Sequence, residues 1–433
     1  MRSRFRSRSG HRCALVAVLA SVIAACGAED ASEAGGPLLP DGAVRTFEAI
    51  IAPDRYLARD TAFSGYAEPF DVTYMILAEN FEDALESHAL ARFRIPATVS
   101  GPDTSGTVRT DSMPVFFAGR VELHLDSITA STSPLRLELY RLVEEWDPRS
   151  ATWMLRVDTA DTQLAWSEPG GTRGTLIDSV TWTSPDSIVT FDIDSATIEA
   201  WRDTTDVAPG VLVRIANQGE RVRASEILLR VDSRPAFHPD TVITTDVRTP
   251  DRTFVYDPPI DTLSGAPRAG GVTAWRTFIR LRERLDSLQV PCPDGPAGCT
   301  VSLRDATINY AALMFEPIAP PAGFTPEDSV QLIAPVVLES PAVPLLRSLI
   351  GGEAGRTLGW VQPPQLGGPG EPIEVALTQY MRQLVSDTMP DPTLPPTIGL
   401  VTSIQSGTFG FAAFQPEPRL RLVLSVASEL LLR

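Results

Sequence analysis

From Val44 onward the chain repeats one pattern: short apolar or alternating runs, broken by clusters of Pro, Gly, Asp, Ser and Thr. Ala91-Arg-Phe-Arg-Ile95, Val121-Glu-Leu-His-Leu125, Leu135–Tyr140, Val211–Ile215 and Ile227–Val231 follow a period of two. That period turns one face of a strand to a core and the other to water. Many short strands at this spacing predict an all-β protein of antiparallel sandwiches or barrels. Helices are expected to be few and short, at Asn80–Ala89, Ala196–Arg202, Pro344–Ile350 and Leu377–Val385.

The runs recur in a similar order in the second half, which predicts two related domains. Arg276–Leu281 stands where Ala91–Ile95 stood, and Leu303–Tyr310 where Gly119–Leu125 stood. Ile373–Tyr380 answers Ile188–Ile193, Thr397–Val401 answers Gly210–Ile215, and Pro418–Leu424 supplies a closing strand. The polar, Pro-rich stretch Phe237–Pro259 is the natural boundary, giving domains over 44–239 and 240–433.

The first 25 residues carry Arg2, Arg4, Arg6, Arg8 and Arg12 and no acid, followed by an apolar run from Ala14 to Ala25. That run is too short to span a bilayer, which takes about 20 apolar residues, but suits a signal peptide over 1–25. It ends in Ile23-Ala24-Ala25-Cys26-Gly27, which resembles the bacterial lipobox, where the cysteine is lipidated and becomes the new N-terminus. Residues 26–43 then read as a flexible tether. Gly27, in place of Asp, resembles lipoproteins sent on to the outer membrane. The location expected is the cell envelope, facing the periplasm or the cell surface.

The formal charge is −17, with 54 acids against 37 basic residues, all of them arginine. Removing the five arginines of the signal leaves about −22. This excludes a nucleic-acid binder, which needs the opposite surplus, and leaves the lipid on Cys26 as the membrane contact. With Cys13 in the signal and Cys26 lipidated, Cys292 and Cys299 remain, bracketing the turn-rich Pro-Asp-Gly-Pro-Ala-Gly. They are expected to form one structural disulfide. No nearby His or second cysteine pair completes the rival tetrahedral metal site.

Leu135–Trp153 reads LRLELYRLVEEWDPRSATW. It resembles the signature of DNRLRE-type domains, jelly-roll β-sandwiches of secreted and surface proteins that overlap a family of carbohydrate-binding modules. In that family an aliphatic-Tyr-Arg strand end leads to W-(D/S)-E-x-x-(V/A)-T-W, matched here by Tyr140, Arg141, Trp146, Asp147, Ala151, Thr152 and Trp153. The resemblance covers roughly Thr46 to Pro239 and implies two tandem jelly-roll-like sandwiches, the second divergent. Pro148 replaces the family's usual acid, no Asn-rich loop follows Trp153, and the second half has only Trp360 near the equivalent place.

Trp146, Trp153, Trp166, Trp182 and Trp201 gather five of the seven tryptophans. Trp146, Trp153, Trp166 and Trp182 are candidates for stacking on sugar rings, with packing as the competing role. Asp186, Asp192 and Asp194 are candidates for calcium, without any EF-hand spacing. His88, His124 and His238 share no motif with a nucleophile, and no P-loop, Rossmann fingerprint or metalloprotease helix is present. The expected function is non-catalytic: an anchored protein that binds or organises polysaccharide or another envelope component. The alternatives are an assembly lipoprotein docking on a protein partner and, third, a polysaccharide-degrading enzyme.

Overall fold

A computed structural model describes residues 44–64, 73–126, 134–159, 161–183, 187–202, 210–257, 262–263, 265–282, 287–292, 295–341, 345, 348–385, 395–404 and 407–427, without the side chains of 290–298. The predicted signal, the tether, Cys26 and Asp186 lie outside the described residues. No helix among the described residues is long and apolar enough to cross a membrane.

In chain order the strands are β1 (Val44–Ile51), β2 (Leu57–Phe63), β3 (Met75–Phe81), β4 (Leu85–Ala91), β5 (Val99–Pro102), β6 (Val108–Asp111), β7 (Val115–Leu125), β8 (Leu135–Leu142), β9 (Leu155–Asp158), β10 (Gln163–Ala165), β11 (Arg173–Trp182), β12 (Ile188–Asp194), β13 (Val211–Ile215) and β14 (Glu220–Arg234). They continue as β15 (Ile243–Arg248), β16 (Arg252–Tyr256), β17 (Arg268–Gly270), β18 (Arg276–Leu281), β19 (Ser287–Cys292), β20 (Gly295–Ser302), β21 (Thr307–Phe315), β22 (Leu332–Leu338), β23 (Leu349–Thr357), β24 (Ile373–Ala376), β25 (Thr397–Thr402), β26 (Phe411–Ala413) and β27 (Arg419–Ala427). The protein is all-β, as its alternation predicts. The described helices are short: Pro53–Tyr56, Ser195–Arg202, Pro363–Leu366 and Thr378–Val385.

Two predicted helices form, within a residue of their expected limits, at 195–202 and 378–385. Asn80–Ala89 does not. Its Asn80, Glu82 and Asp83 take positive φ of 47°, 55° and 57°, which turns β3 back into β4. Ala91–Ile95 keeps only Ala91 in a strand, because Arg92 leaves the ladder to pair with Asp251 at 3.0 Å. Pro344–Ile350 lies partly outside the described residues, and its Leu349 and Ile350 open β23.

By contact, residues 48–286 and 308–423 make one unit, and 44–47, 287–307 and 424–427 another. In the smaller unit β19 and β20 pair as an antiparallel hairpin from Ser287↔Ser302 to Cys292↔Gly295. Thr46 and Ser425 share a hydroxyl contact of 3.1 Å in the same unit.

The larger unit contains two great sheets. In the first, the order is β11-β8-β13-β4 followed by β3-β14-β7-β12. Counted by place in the chain, these eight strands run five, four, seven, two and then one, eight, three, six, the order of a jelly roll hinged at the β3–β4 hairpin. The second roll repeats it: β23-β22-β25-β18 holds places five, four, seven and two, and β27-β21-β24 holds eight, three and six. There β17 takes the first place, pairing with β26, with a bridge Gly270↔Trp275 to the residue that precedes β18. The eighth strand, continuous as β14 in the first roll, is split into β26 and β27 by Pro416 and Pro418, which cannot donate to a ladder. A helix follows the sixth strand in both rolls, and a two-stranded ribbon, β5–β6 or β19–β20, follows the second.

Strand membership departs from the division at 239/240. β1 neighbours β27 and β2 pairs with β18, so the first arm of the chain belongs to the second roll. Conversely β15 pairs with β14 and β16 with β4, so the arm after residue 240 belongs to the first. Each roll thus takes, at its second and eighth strands, the two-strand arm that precedes the other.

Both rolls bury the inward-facing residues of their strands, among them Phe116, Val121, Leu137, Phe191 and Leu229 in the first. Each side chain of this size contributes about 1.5–3 kcal/mol on full burial. On a wetter face the arginines serve as cross-strand partners. Glu122 on β7 lies 3.3 Å from Arg120 and 3.2 Å from Arg230 on β14, and Arg230 reaches Asp246 on β15 at 3.1 Å. Planar guanidinium groups suit such shared carboxylate contacts. The second roll closes on itself where β23 meets β24; a Cβ on Gly355 would stand 1.9 Å from the Ala376 carbonyl oxygen, so only glycine fits.

Candidate functional site

Two arginines on β14 join the rolls. Arg221 and Arg223, two residues apart, point to the same face of the strand. The Arg221 guanidinium lies 4.1 Å from the rings of both Phe81 and Phe409, donates to the Thr325 carbonyl at 3.0 Å and pairs with Glu327 at 2.7 Å. Arg223, 8% exposed, pairs through Nη2 with Asp126 and through Nη1 with Asp328, both at 2.5 Å. Its guanidinium also rests 4.4 Å from the Tyr74 ring. Buried cations of this kind are tolerated because each is paired and hydrogen-bonded.

Beside Arg223 the two rolls leave a cleft of about 180 Å³ lined by Tyr74, Arg223, Asp328, Trp360, Ser403 and Thr408, among others. Its polar floor is held in place. Asp328 Oδ2 accepts from Arg223, from the Phe409 N–H at 2.9 Å and from the Thr408 hydroxyl at 3.1 Å. Thr408 Oγ1 in turn accepts from the Gly410 N–H at 3.0 Å. Trp360, past the end of β23, is 54% exposed at this cleft, and the bridge Val330↔Val361 ties its neighbour to the loop that carries Asp328. An exposed indole in the same cleft as a fixed carboxylate and hydroxyl is an arrangement that binds a ring with an apolar face and polar edges. Pockets that enclose a whole drug-sized ligand run to about 300–1,000 Å³. A cleft this size takes one ring or one chain end.

The tryptophans named from the sequence are elsewhere, and they pack. Trp146, Trp153 and Trp166 are 2%, 8% and 5% exposed, forming a cluster with Leu90, Leu142, Leu212 and Val255 under the connection from β8 to β11. Trp182 is 3% exposed in the main core of the first roll. None offers a free face, which removes them as a stacking platform. The Trp166 indole N–H is used inside the fold, donating to the Thr152 carbonyl at 2.9 Å.

Asp192 and Asp194 alternate on the exposed side of β12. The Asp194 carboxylate accepts from the Thr197 N–H at 2.7 Å, which caps the following helix and holds its carboxyl below the usual range. These two do not meet as a calcium site; among the described residues the grouping with metal-ligand spacing is Glu79, Glu86 and His88. His124 stands between Glu122 and Glu226 at 3.7 and 3.8 Å, a partly exposed partner of its strand neighbours.

No protein-family model matches the chain, and no curated protein matches it. Of the cleft residues only Trp360 drew notice in the sequence. Arg223 and Asp328 are 105 residues apart and lie in no motif; the one local sign was the Arg-x-Arg of β14, two charges on a face that should otherwise be apolar.

Proposed function

We propose that this is an exported, lipid-anchored, non-catalytic protein that binds polysaccharide, or another ring-bearing component of the envelope, in the cleft beside Trp360. The exposed indole carries the reading, lining one cleft with the fixed carboxylate of Asp328 and the hydroxyls of Ser403 and Thr408. The jelly-roll order and the Tyr140–Trp153 signature favour the DNRLRE-type resemblance, whose family overlaps carbohydrate-binding modules. The basic N-terminus and Ala24-Ala25-Cys26-Gly27 favour export and lipidation at Cys26. Pairing of the strands that carry Cys292 and Cys299, together with the disulfide-bonded state of Cys299, supports a disulfide between them.

The test is a polysaccharide pull-down and glycan array on the full-length protein in mild detergent, repeated with Trp360→Ala and Asp328→Asn. Binding should fall at least tenfold in Trp360→Ala, with quenching of the exposed indole by ligand only in the parent. If no polymer binds, with or without calcium, the reading fails. One observation favours a protein partner as the second reading. Leu338 and Leu349 face each other across β22 and β23 at 46% and 70% exposure, and Leu358 is 85% exposed. Co-purification from envelope extracts tests it, with Leu349→Asp expected to abolish capture.

A further inference from the structure

Away from the cleft, the β3–β4 hairpin sets three ligating groups together. Glu79 comes from β3, Glu86 and His88 from β4, and one ring nitrogen and one oxygen from each carboxylate lie within 4.8 Å of one another. Glu79 is 7% exposed and His88 3%, while Glu86 is half-buried.

The hydrogen bonding of His88 defines which nitrogen is available. Nδ1 lies 2.9 Å from the Gly170 carbonyl oxygen, which can only accept, so Nδ1 carries the proton. The ring is held from behind. Trp153 packs on it at 5.0 Å between centroids, and Gly170, with φ of +80°, touches Trp153 so closely that a Cβ would stand 2.6 Å from the indole. Nε2 is therefore the lone-pair nitrogen of the neutral ring. It is buried, has no hydrogen-bond partner, and faces Glu86 Oε1 at 3.5 Å. Two acceptors aimed at each other call for positive charge between them.

Glu79 retains the capacity to share in it. Its Oε1 accepts from Gln218 at 2.9 Å and its Oε2 pairs with Arg214 at 3.1 Å, but a carboxylate oxygen has a second lone pair. The charged groups acting on the site are Glu79, Glu86, Asp257 and Glu138 against Arg214 and Arg173, a surplus of carboxylate.

We infer that Glu79, Glu86 and His88 bind one divalent ion of the zinc class through His88 Nε2 and the two carboxylates. Zinc takes imidazole nitrogen and carboxylate oxygen in four-coordinate sites, and the half-buried side of Glu86 admits a solvent molecule as the fourth ligand. A ligating histidine anchored through its other N–H to a backbone carbonyl is the usual outer support. Calcium prefers six to eight oxygens and has less use for an imidazole.

The experiment is calorimetric titration of zinc chloride into chelator-treated full-length protein in mild detergent. One ion should bind per chain, with affinity reduced at least tenfold in His88→Ala and in Glu86→Gln and unchanged in His238→Ala. Glu86→Gln, at a half-buried position, keeps the fold, so zinc should raise the unfolding temperature of the parent and leave that of the variant unmoved. Failure of the folded parent to take up zinc, uptake that survives His88→Ala, or a nitrogen-15 spectrum with zinc present showing protons on both His88 nitrogens would each overturn the inference. The last would make the pair an imidazolium–carboxylate contact.

Discussion

The two rolls share one strand order, yet the tryptophans beside their fifth strands, β11 and β23, are put to opposite uses. In the first, the long connection from β8 to β11 is filled by Trp146, Trp153 and Trp166, all buried. In the second, the connection from β22 to β23 spans only 339–348 and has no tryptophan, and Trp360, beyond β23, remains exposed over a polar cleft. The same frame can spend an indole on holding a loop or leave it open at a cleft. An aromatic already committed to packing has no face left for recognition.

The largest test of this contrast is Trp146→Ala, which empties a site of 2% exposure and should cost about 3–5 kcal/mol. Chemical unfolding followed by tryptophan fluorescence, which reports chiefly on the first roll, should show it; a loss below about 1 kcal/mol would mean the cluster is not the support described. Arg223→Met should come next, at about 3 kcal/mol, because it removes the buried cation that Asp126 and Asp328 share. It acts on the join, so differential scanning calorimetry should separate into two transitions where the parent shows one.

Gly170→Ala forces a side chain onto a positive φ against Trp153 and should cost about 1–3 kcal/mol, confined to the first roll. Asp194→Ala removes a helix cap worth about 1 kcal/mol. Because that carboxyl is held below its ordinary 3.8, its contribution is present above pH 4 and is lost as the pH falls through the lower, folded value. Asp194→Asn should keep the cap and lose the pH dependence, seen in unfolding temperatures between pH 2 and 5. The smallest effect belongs to Trp360→Ala, within about 0.5 kcal/mol of the parent on thermal unfolding. A large loss there would erase the distinction between the two uses.

Much of the fold was legible where alternation is strict. Val121–Leu125 and Leu135–Tyr140 both lie in strands, since period two admits few other ways to bury a face. Asn80–Ala89 misled because Glu, Ala and Leu favour a helix locally, while pairing of β3 with β4 decides the outcome over longer range. The exchanged arms were illegible for a different reason. Alternation tells which face of β2 or β16 is buried but not which sheet's edge the strand will join. The tryptophans show a similar limit, as composition counts indoles and only packing tells which remain open. Trp166 sits among Ser, Glu, Pro and Gly, yet folds inward against Leu142 and Leu212.

The exchange of arms also sets an order of events in the making of this protein. β2 leaves the ribosome more than 200 residues before β18, the strand it pairs with at Phe63↔Arg276. Until then it has no sheet to enter, and the first roll cannot be completed before β16 follows it out. Contacts at such separation fold slowly, because a long loop must close before they form. The two rolls of such a chain complete each other only when nearly all of it has emerged. Expressing either half alone, cut at 239/240, should yield a sheet with bare second and eighth strands and a tendency to aggregate through them.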